Sequence, residues 1–373
     1  MRSPGCSNGG VNSVVPGEVI NLCEYRWPAE WERHAATWLA WPVSEATWPG
    51  IFPRIPAAFA ALVAAIARFE PVHLLAGGAA VAEQARREVD RACAAAGSRF
   101  PVEIIADISV NDSWCRDYGP IFLTGREGTP ATGSSVIIDW DYNAWGGKYP
   151  PWDQDALVAR KVSQRLGLTA LQPGLVLEGG AIEGNGAATI LVTENCLLNP
   201  NRNPGATQAS LELALRHWMQ AKHVVWLPGH GIVGDDTDGH IDQLARFIDA
   251  RRVFVAAPDD DDAPEAADLR AGAAVVAQAT NAQGESLIPV PLSIPAPKFQ
   301  QQQRLPASYC NYYLCNGAVI VPMFRDPADG IALQQLQDCY PQRTIVGVDA
   351  LDLVWGLGSF HCMTQQQPAV TPD

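Results

Sequence analysis

At 373 residues, 47% hydrophobic and 18% charged, the chain can bury a large core without disulfides or metals. Its net charge of −14 argues against nucleic acid, whose phosphates call for a basic surface, and mildly favours a cationic small ligand. No apolar run reaches the roughly 20 residues that span a bilayer, Met1 to Val15 lacks the features of a secretory leader, and the expected compartment is the cytoplasm.

Residues 1 to 24, rich in Gly, Ser, Asn and Val without periodicity, read as a loose N-terminal extension. Strong helix formers with Pro at the first turn predict a helix over Pro56–Phe69, then a short buried strand over Pro71–Leu75 and a second helix over Ala80–Ala95. Further strands are expected at Val102–Ala106, Ser135–Asp139, Ala188–Thr193, Val224–Leu227, Val253–Ala256 and Ala318–Pro322. The intervening helices are expected at Asp153–Leu166, Thr207–Met219, Leu269–Ala279 and Ile331–Cys339. Alternation throughout predicts an α/β fold. The acidic run from Asp259 to Asp262 reads as a solvated loop.

Nine scattered cysteines, an odd number, form no disulfide framework, and no CxxC pair or His/Cys spacing marks zinc. Neither metal nor cofactor is expected. Cys310 and Cys315, inside the apolar run Tyr309 to Cys315, read as two buried thiols. Cys362 differs. It lies among Gly356, Gly358, His361 and the polar run Thr364 to Gln367, a poor place for a core thiol and a good one for a nucleophile.

His240, in the turn Gly234-Asp235-Asp236-Thr237-Asp238-Gly239-His240-Ile241-Asp242, is the candidate acid/base. On an extended strand it would share a face with Asp242. Asp117 and Glu178 are the other acids expected at the site, the latter between an apolar run and Gly179-Gly180. Carboxylates gathered in a dry site need a cation to balance them. A planar guanidinium matches paired carboxylates in a bidentate fork, and a divalent metal is the other option. Trp114 and the segment Asn143 to Pro150 offer flat walls on which a guanidinium could stack.

Together these segments resemble the agmatine deiminase family of guanidine-modifying enzymes, from about Trp27 to Pro368. The resemblance rests on Pro28 to Glu32 with Trp38 to Pro42, Asn111 to Pro120, Asn143 to Gly147, Glu178 to Gly180, Cys196 to Pro204, Asp236 to Asp242 and His361 to Gln366. It implies one catalytic domain over residues 25–370, a five-fold pseudo-symmetric α/β propeller with the active site in its central channel. It also implies hydrolysis of agmatine to N-carbamoylputrescine and ammonia through a covalent amidino-cysteine, in polyamine synthesis, without metal or cofactor. Carried over by position, Cys362 is the nucleophile, His240 the acid/base, Asp117 and Asp242 the guanidinium clamps, and Glu178 a support for His240. From the residues themselves, Trp114 is read as facing substrate, and Asp236 and Asp238 either as partners for its amine tail or as solvated or capping acids. Two segments depart from the pattern: Gly356-Leu357-Gly358-Ser359-Phe360 stands where three glycines, Asn and Ile are common, and Asp236 where Glu is frequent.

The competing readings are deimination of free or peptidyl C-terminal arginine, amidino transfer to an amine, and a non-catalytic cation-binding protein. An arginine substrate would need a cation to meet its carboxylate, for which Arg116, Lys148 and Arg202 are the candidates. The sequence leaves a homo-oligomer open.

Overall fold

The computed structural model describes residues 13–15, 18–258, 260 and 262–370. Within them, five mixed sheets repeat one plan, in which a short strand runs antiparallel to a central strand and a helix carries the chain to a third, parallel strand. In the second sheet these strands are Ile121–Gly125, Ser135–Ile138 and Thr169–Leu171, bridged by the helix Val158–Leu166. The third has Ile182–Gly184, Thr189–Thr193 and His223–Leu227, bridged by Gln208–Trp218. Ala245–Phe247, Arg252–Ala257 and Ile288–Ser293 form the fourth around Ala266–Gln278. The fifth uses Tyr313–Cys315, Ala318–Met323 and Thr344–Asp349 around Ala328–Cys339.

The first sheet joins the two ends of the chain. Its central strand His34–Ala40 runs parallel to Val72–Leu75, reached through the helix Ile55–Ile66, while its antiparallel partner is the last strand, Thr364–Pro368. Val102–Ile105 adds a fourth, parallel strand.

Local chemistry sets the element ends. Pro56 occupies the first turn of Ile55–Ile66, where its missing N–H costs nothing, and Phe59, Leu62, Val63 and Ile66 line the buried face. Thr207 and Ser210 close a reciprocal capping box at the start of Gln208–Trp218. The helix expected over Asp153–Leu166 divides into a 3-10 turn, Asp155–Leu157, and Val158–Leu166, as Asp155 turns inward to accept the backbone N–H of Asn111 at 2.7 Å. Ala188 takes φ +70°, so the strand expected from there starts at Thr189.

The loose extension expected over residues 1–24 lies partly outside the described residues. Its end is ordered: Ser13–Val15 pairs with Glu18–Ile20, and Leu22 is buried in the core. The acidic run at Asp259 to Asp262 also falls partly outside them. No described helix is long and apolar enough to cross a membrane.

Candidate active site

Just ahead of the antiparallel strand of each sheet, the chain makes a single helical turn. The five turns are Cys115–Tyr118, Gly179–Ala181, Ile241–Gln243, Tyr309–Asn311 and Phe360–Met363. Each packs against the next, and the last packs against the first. Asp117, Glu178 and Gly180, His240 and Asp242, Asn311 and Cys362 all lie on or beside these turns. His240 and Asp242 therefore do not share a strand face as the i, i+2 spacing suggested; His240 precedes a 3-10 turn that carries Asp242.

The residues converge around Gly180. A Cβ placed there would lie 2.6 Å from His240 Nδ1, 2.8 Å from Asp117 Oδ1 and 3.1 Å from Asp242 Oδ2, so only glycine fits. Asp117 Oδ1 accepts the Gly180 N–H at 3.0 Å, and Asp117 Oδ2 accepts Trp145 Nε1–H at 3.0 Å. Ala144 to Gly147 run through four successive positive φ values, and this local strain, held by Asn143 accepting the Gly146 N–H, presents the Trp145 indole to Asp117. Burial raises the Asp117 pKa to about 6, against the opposing charge of His240.

Asp242 is fully buried and uses its oxygens unequally. Its Oδ2 lies 2.8 Å from His361 Nδ1, 3.3 Å from Asn311 Nδ2 and 3.6 Å from Cys362 Sγ, whereas Oδ1 is buried with no partner. Burial disfavours its charge, but His361 and His240 outweigh that and hold the carboxyl below its usual range. The second nitrogen of His361, Nε2, lies 2.7 Å from Glu30, itself paired with Arg116 and Arg246. None of Glu30, Arg246 and Asn311 was assigned a role at the site from sequence. An amide and an arginine placed among apolar neighbours, Asn311 in Tyr309 to Cys315 and Arg246 beside Phe247, were the available signal.

Both ring nitrogens of His240 are buried without a hydrogen bond, Nδ1 at 3.7 Å from Asp117 and Nε2 at 3.9 Å from Glu178. Burial alone would lower its pKa; Asp117, Cys196 and Glu178 around the ring hold it well above the ordinary value. The imidazole is therefore cationic near neutrality, an acid ready to donate. Glu178 also pairs with Arg202 Nε at 3.0 Å, and contact with His240 and Arg202 keeps it ionised despite burial. Glu178, Cys196 and His240 bring ligand atoms within 4.8 Å of one another, a spacing that could hold a metal ion, though the Arg202 guanidinium already supplies positive charge to Glu178.

A cavity of about 480 Å³ leads from the surface to Asp117 and Cys362. Trp114 and Trp145 form part of its wall, with Lys148, Tyr149 and Asp236 also facing it. His240, Asp242 and Glu178 lie beyond its lining. Burial and the nearby Asp242 and Asp117 push the Cys362 thiol well above its ordinary pKa, while the Ser359 backbone and Asn311 pull it down.

The acids expected to meet a substrate tail are occupied. Lys148 Nζ bonds Asp236 and Asp238 at 3.0 Å each, and Tyr149 donates to Asp236 at 2.6 Å. Asp238 also pairs with Arg202 and does not line the cavity. Arg116 is spent on Glu30, Gln366 and the His361 carbonyl. Each of the three cations considered for a substrate carboxylate is thus already paired within the protein.

Comparison with known proteins decides the family. The model of the Porphyromonas-type peptidyl-arginine deiminases matches residues 26–368. This chain belongs to that family. Its relatives include the agmatine deiminases of Pseudomonas aeruginosa and Stutzerimonas stutzeri, each 37% identical, the matches covering 92% of this chain and 96% of the relative. Among solved family members, the agmatine deiminase of Enterococcus faecalis superposes with a TM-score of 0.83 at 30% identity, covering 94% of this chain and 97% of that one.

Proposed function

We propose that the chain is an agmatine deiminase, hydrolysing agmatine to N-carbamoylputrescine and ammonia and so feeding polyamine synthesis. The observation that carries the reading is the convergence on Gly180 of Asp117, Asp242 and His240, with Cys362 at the end of the cavity. Two buried carboxylates, one with an unpartnered oxygen, suit a bound guanidinium. The absence of an uncommitted cation among Arg116, Lys148 and Arg202 favours agmatine over arginine, whose carboxylate would go unmet.

In this mechanism the guanidinium settles between Asp117 and Asp242 and offsets the two charges that oppose ionisation of Cys362. The thiol proton leaves to solvent, and Sγ bonds to the guanidinium carbon. His240 protonates one nitrogen, which departs as ammonia and leaves a cationic amidino-thioether. The neutral imidazole then takes a proton from water. The resulting hydroxide adds to the same carbon, the C–S bond breaks as the added oxygen gives up its proton to solvent, and the neutral urea product is released with regenerated thiolate. Substrate charge thus supplies what the resting site withholds from its nucleophile.

The five repeats and the closed succession of their turns support a five-fold α/β propeller with the site in its channel, and residues 25–370 as one catalytic domain. Cys93, Cys115, Cys196, Cys310, Cys315, Cys339 and Cys362 are free thiols, which suits a reducing compartment, the cytoplasm. The test is ammonia release from agmatine, free arginine and an arginine-ended peptide. Agmatine turnover that disappears in Cys362→Ala is expected; turnover confined to arginine or the peptide would overturn the substrate.

A further inference from the structure

With Asp236 and Asp238 held by Lys148, a cationic substrate tail needs another carboxylate. The acids that line the cavity are Asp112, Asp117, Asp155 and Asp236. Asp117 belongs to the guanidinium clamp. Asp112 spends one oxygen on the Thr47 hydroxyl at 2.5 Å and the other on the Ser113 N–H at 2.8 Å. Asp155 remains. Resting on the deiminase reading, we propose that Asp155, with the Tyr142 hydroxyl, is the subsite that binds the primary ammonium at the far end of the substrate.

Asp155 is 2% exposed and uses its oxygens unequally. Oδ1 accepts the backbone N–H of Asn111 at 2.7 Å and that of Asp112 at 3.4 Å, whereas Oδ2 accepts no hydrogen bond among the described residues. The anchored oxygen fixes the carboxylate in the cavity wall, and the other is left for a ligand. Tyr142, 5% exposed and in the same wall, has a hydroxyl with no hydrogen-bond partner among the described residues. Edge contacts with Tyr118 and Trp145, each at 5.6 Å between ring centroids, hold its ring. Burial, then the charges of Asp155 and Asp117, raise the Tyr142 phenol well above its ordinary pKa, so its oxygen feels both the subsite and the clamp. Two buried acceptors without a donor call for a ligand that brings N–H groups. Charge decides which kind. Burial first, and then the charges of Asp112 and Asp153, raise the Asp155 pKa to about 8, as befits a carboxyl that lacks a cation. A primary ammonium supplies both charge and donors, and Asp155 gives up its proton to solvent as that ammonium binds. An α-carboxylate carried beside the amine, as in arginine, would face Asp155 and Asp112 unmatched.

Butylguanidine, which keeps the guanidine and the chain but lacks the amine, separates this subsite from the rest of the site. Asp155→Asn keeps an oxygen for the Asn111 and Asp112 N–H groups while removing the charge, and Tyr142→Phe removes only the hydroxyl. The ratio of kcat/KM for agmatine to that for butylguanidine should fall about 10- to 100-fold in Asp155→Asn, the range of a hydrogen bond to a charged group, and less in Tyr142→Phe. Calorimetric binding of both guanidines to Cys362→Ala, with and without Asp155→Asn, repeats the comparison without chemistry. The preference for agmatine in Cys362→Ala should be lost in the double variant. If Asp155 only braced the Asn111 loop, both guanidines would weaken together; an unchanged ratio in either assay overturns the proposal. Failure of the deiminase reading would show separately, as wild-type protein that releases no ammonia from either guanidine while the binding preference still depends on Asp155.

Discussion

Two sets of acids stand within one cavity's reach and have opposite fates. At the rim, Asp236 and Asp238 are half-exposed and already bound by Lys148, with Tyr149 on one and Arg202 on the other. At the depth, Asp117 and Asp242 are buried, with His240 beside the first and His361, whose pKa burial lowers, beside the second. A carboxylate whose charge the protein has already met offers little to a cationic ligand, whereas one left short of a cation in a dry site is poised for it. The difference lies in what surrounds each acid, since all four are aspartates and Asp236, Asp238 and Asp242 share one short segment.

The sharpest way to break this contrast is to remove a deep charge. Asp242→Asn should lower kcat/KM by about two to four orders of magnitude, from a penalty of roughly 3–5 kcal/mol for a buried pair broken on one side, while Asp236→Asn should change it by less than about ten-fold, as expected of a partly exposed ion pair. Equal losses from both would erase the distinction. Gly180→Ala should also be severe, because its methyl would occupy the space between Asp117, His240 and Asp242; steady-state kinetics with a circular dichroism check on folding would read it.

pH sharpens the comparison. Asp117, raised to about 6, must be ionised to clamp a cation, so kcat/KM should fall as pH drops through 6. Stability runs the other way. A carboxyl whose folded pKa exceeds its unfolded value binds more protons when folded, so this group costs the free protein on the order of 2–3 kcal/mol as pH rises from about 4 past 6. Urea unfolding of wild type and Asp117→Asn across that window would show it as a difference in slope.

The smallest expected effect is at Leu357, which takes φ +73° on the loop before Cys362. Leu357→Gly should gain about 1 kcal/mol by relieving left-handed strain, measurable as a raised Tm.

Much of this was legible in the sequence where segments carry their own signal. The central strands of four sheets and the bridging helices announce themselves as apolar runs and helical periodicity, and Cys362, His240, Asp117, Asp242 and Glu178 stand out by their flanking Gly, Trp and acids. The central strand His34–Ala40 and the parallel strands Thr169–Leu171, Ile288–Ser293 and Thr344–Asp349 were not read from the sequence. Nor were the antiparallel strands: Ile182–Gly184 spans three residues, and Thr364–Pro368 reads as polar and pairs with His34–Ala40 at the far end of the chain. Pairing over that distance leaves no local trace. For the same reason Asp236 and Asp238 looked available, since Lys148 and Arg202 reach them from other repeats.

The central claim is that Cys362 attacks a guanidinium held by the deep acids. Acid-quenching the enzyme during agmatine turnover and weighing the intact protein and its Cys362 peptide tests it directly. The account predicts an adduct equal to agmatine less ammonia on Cys362, absent from Cys362→Ala and strongly depleted in Asp242→Asn. Active enzyme that stays unmodified under the same quench, or an adduct on another cysteine, would contradict it.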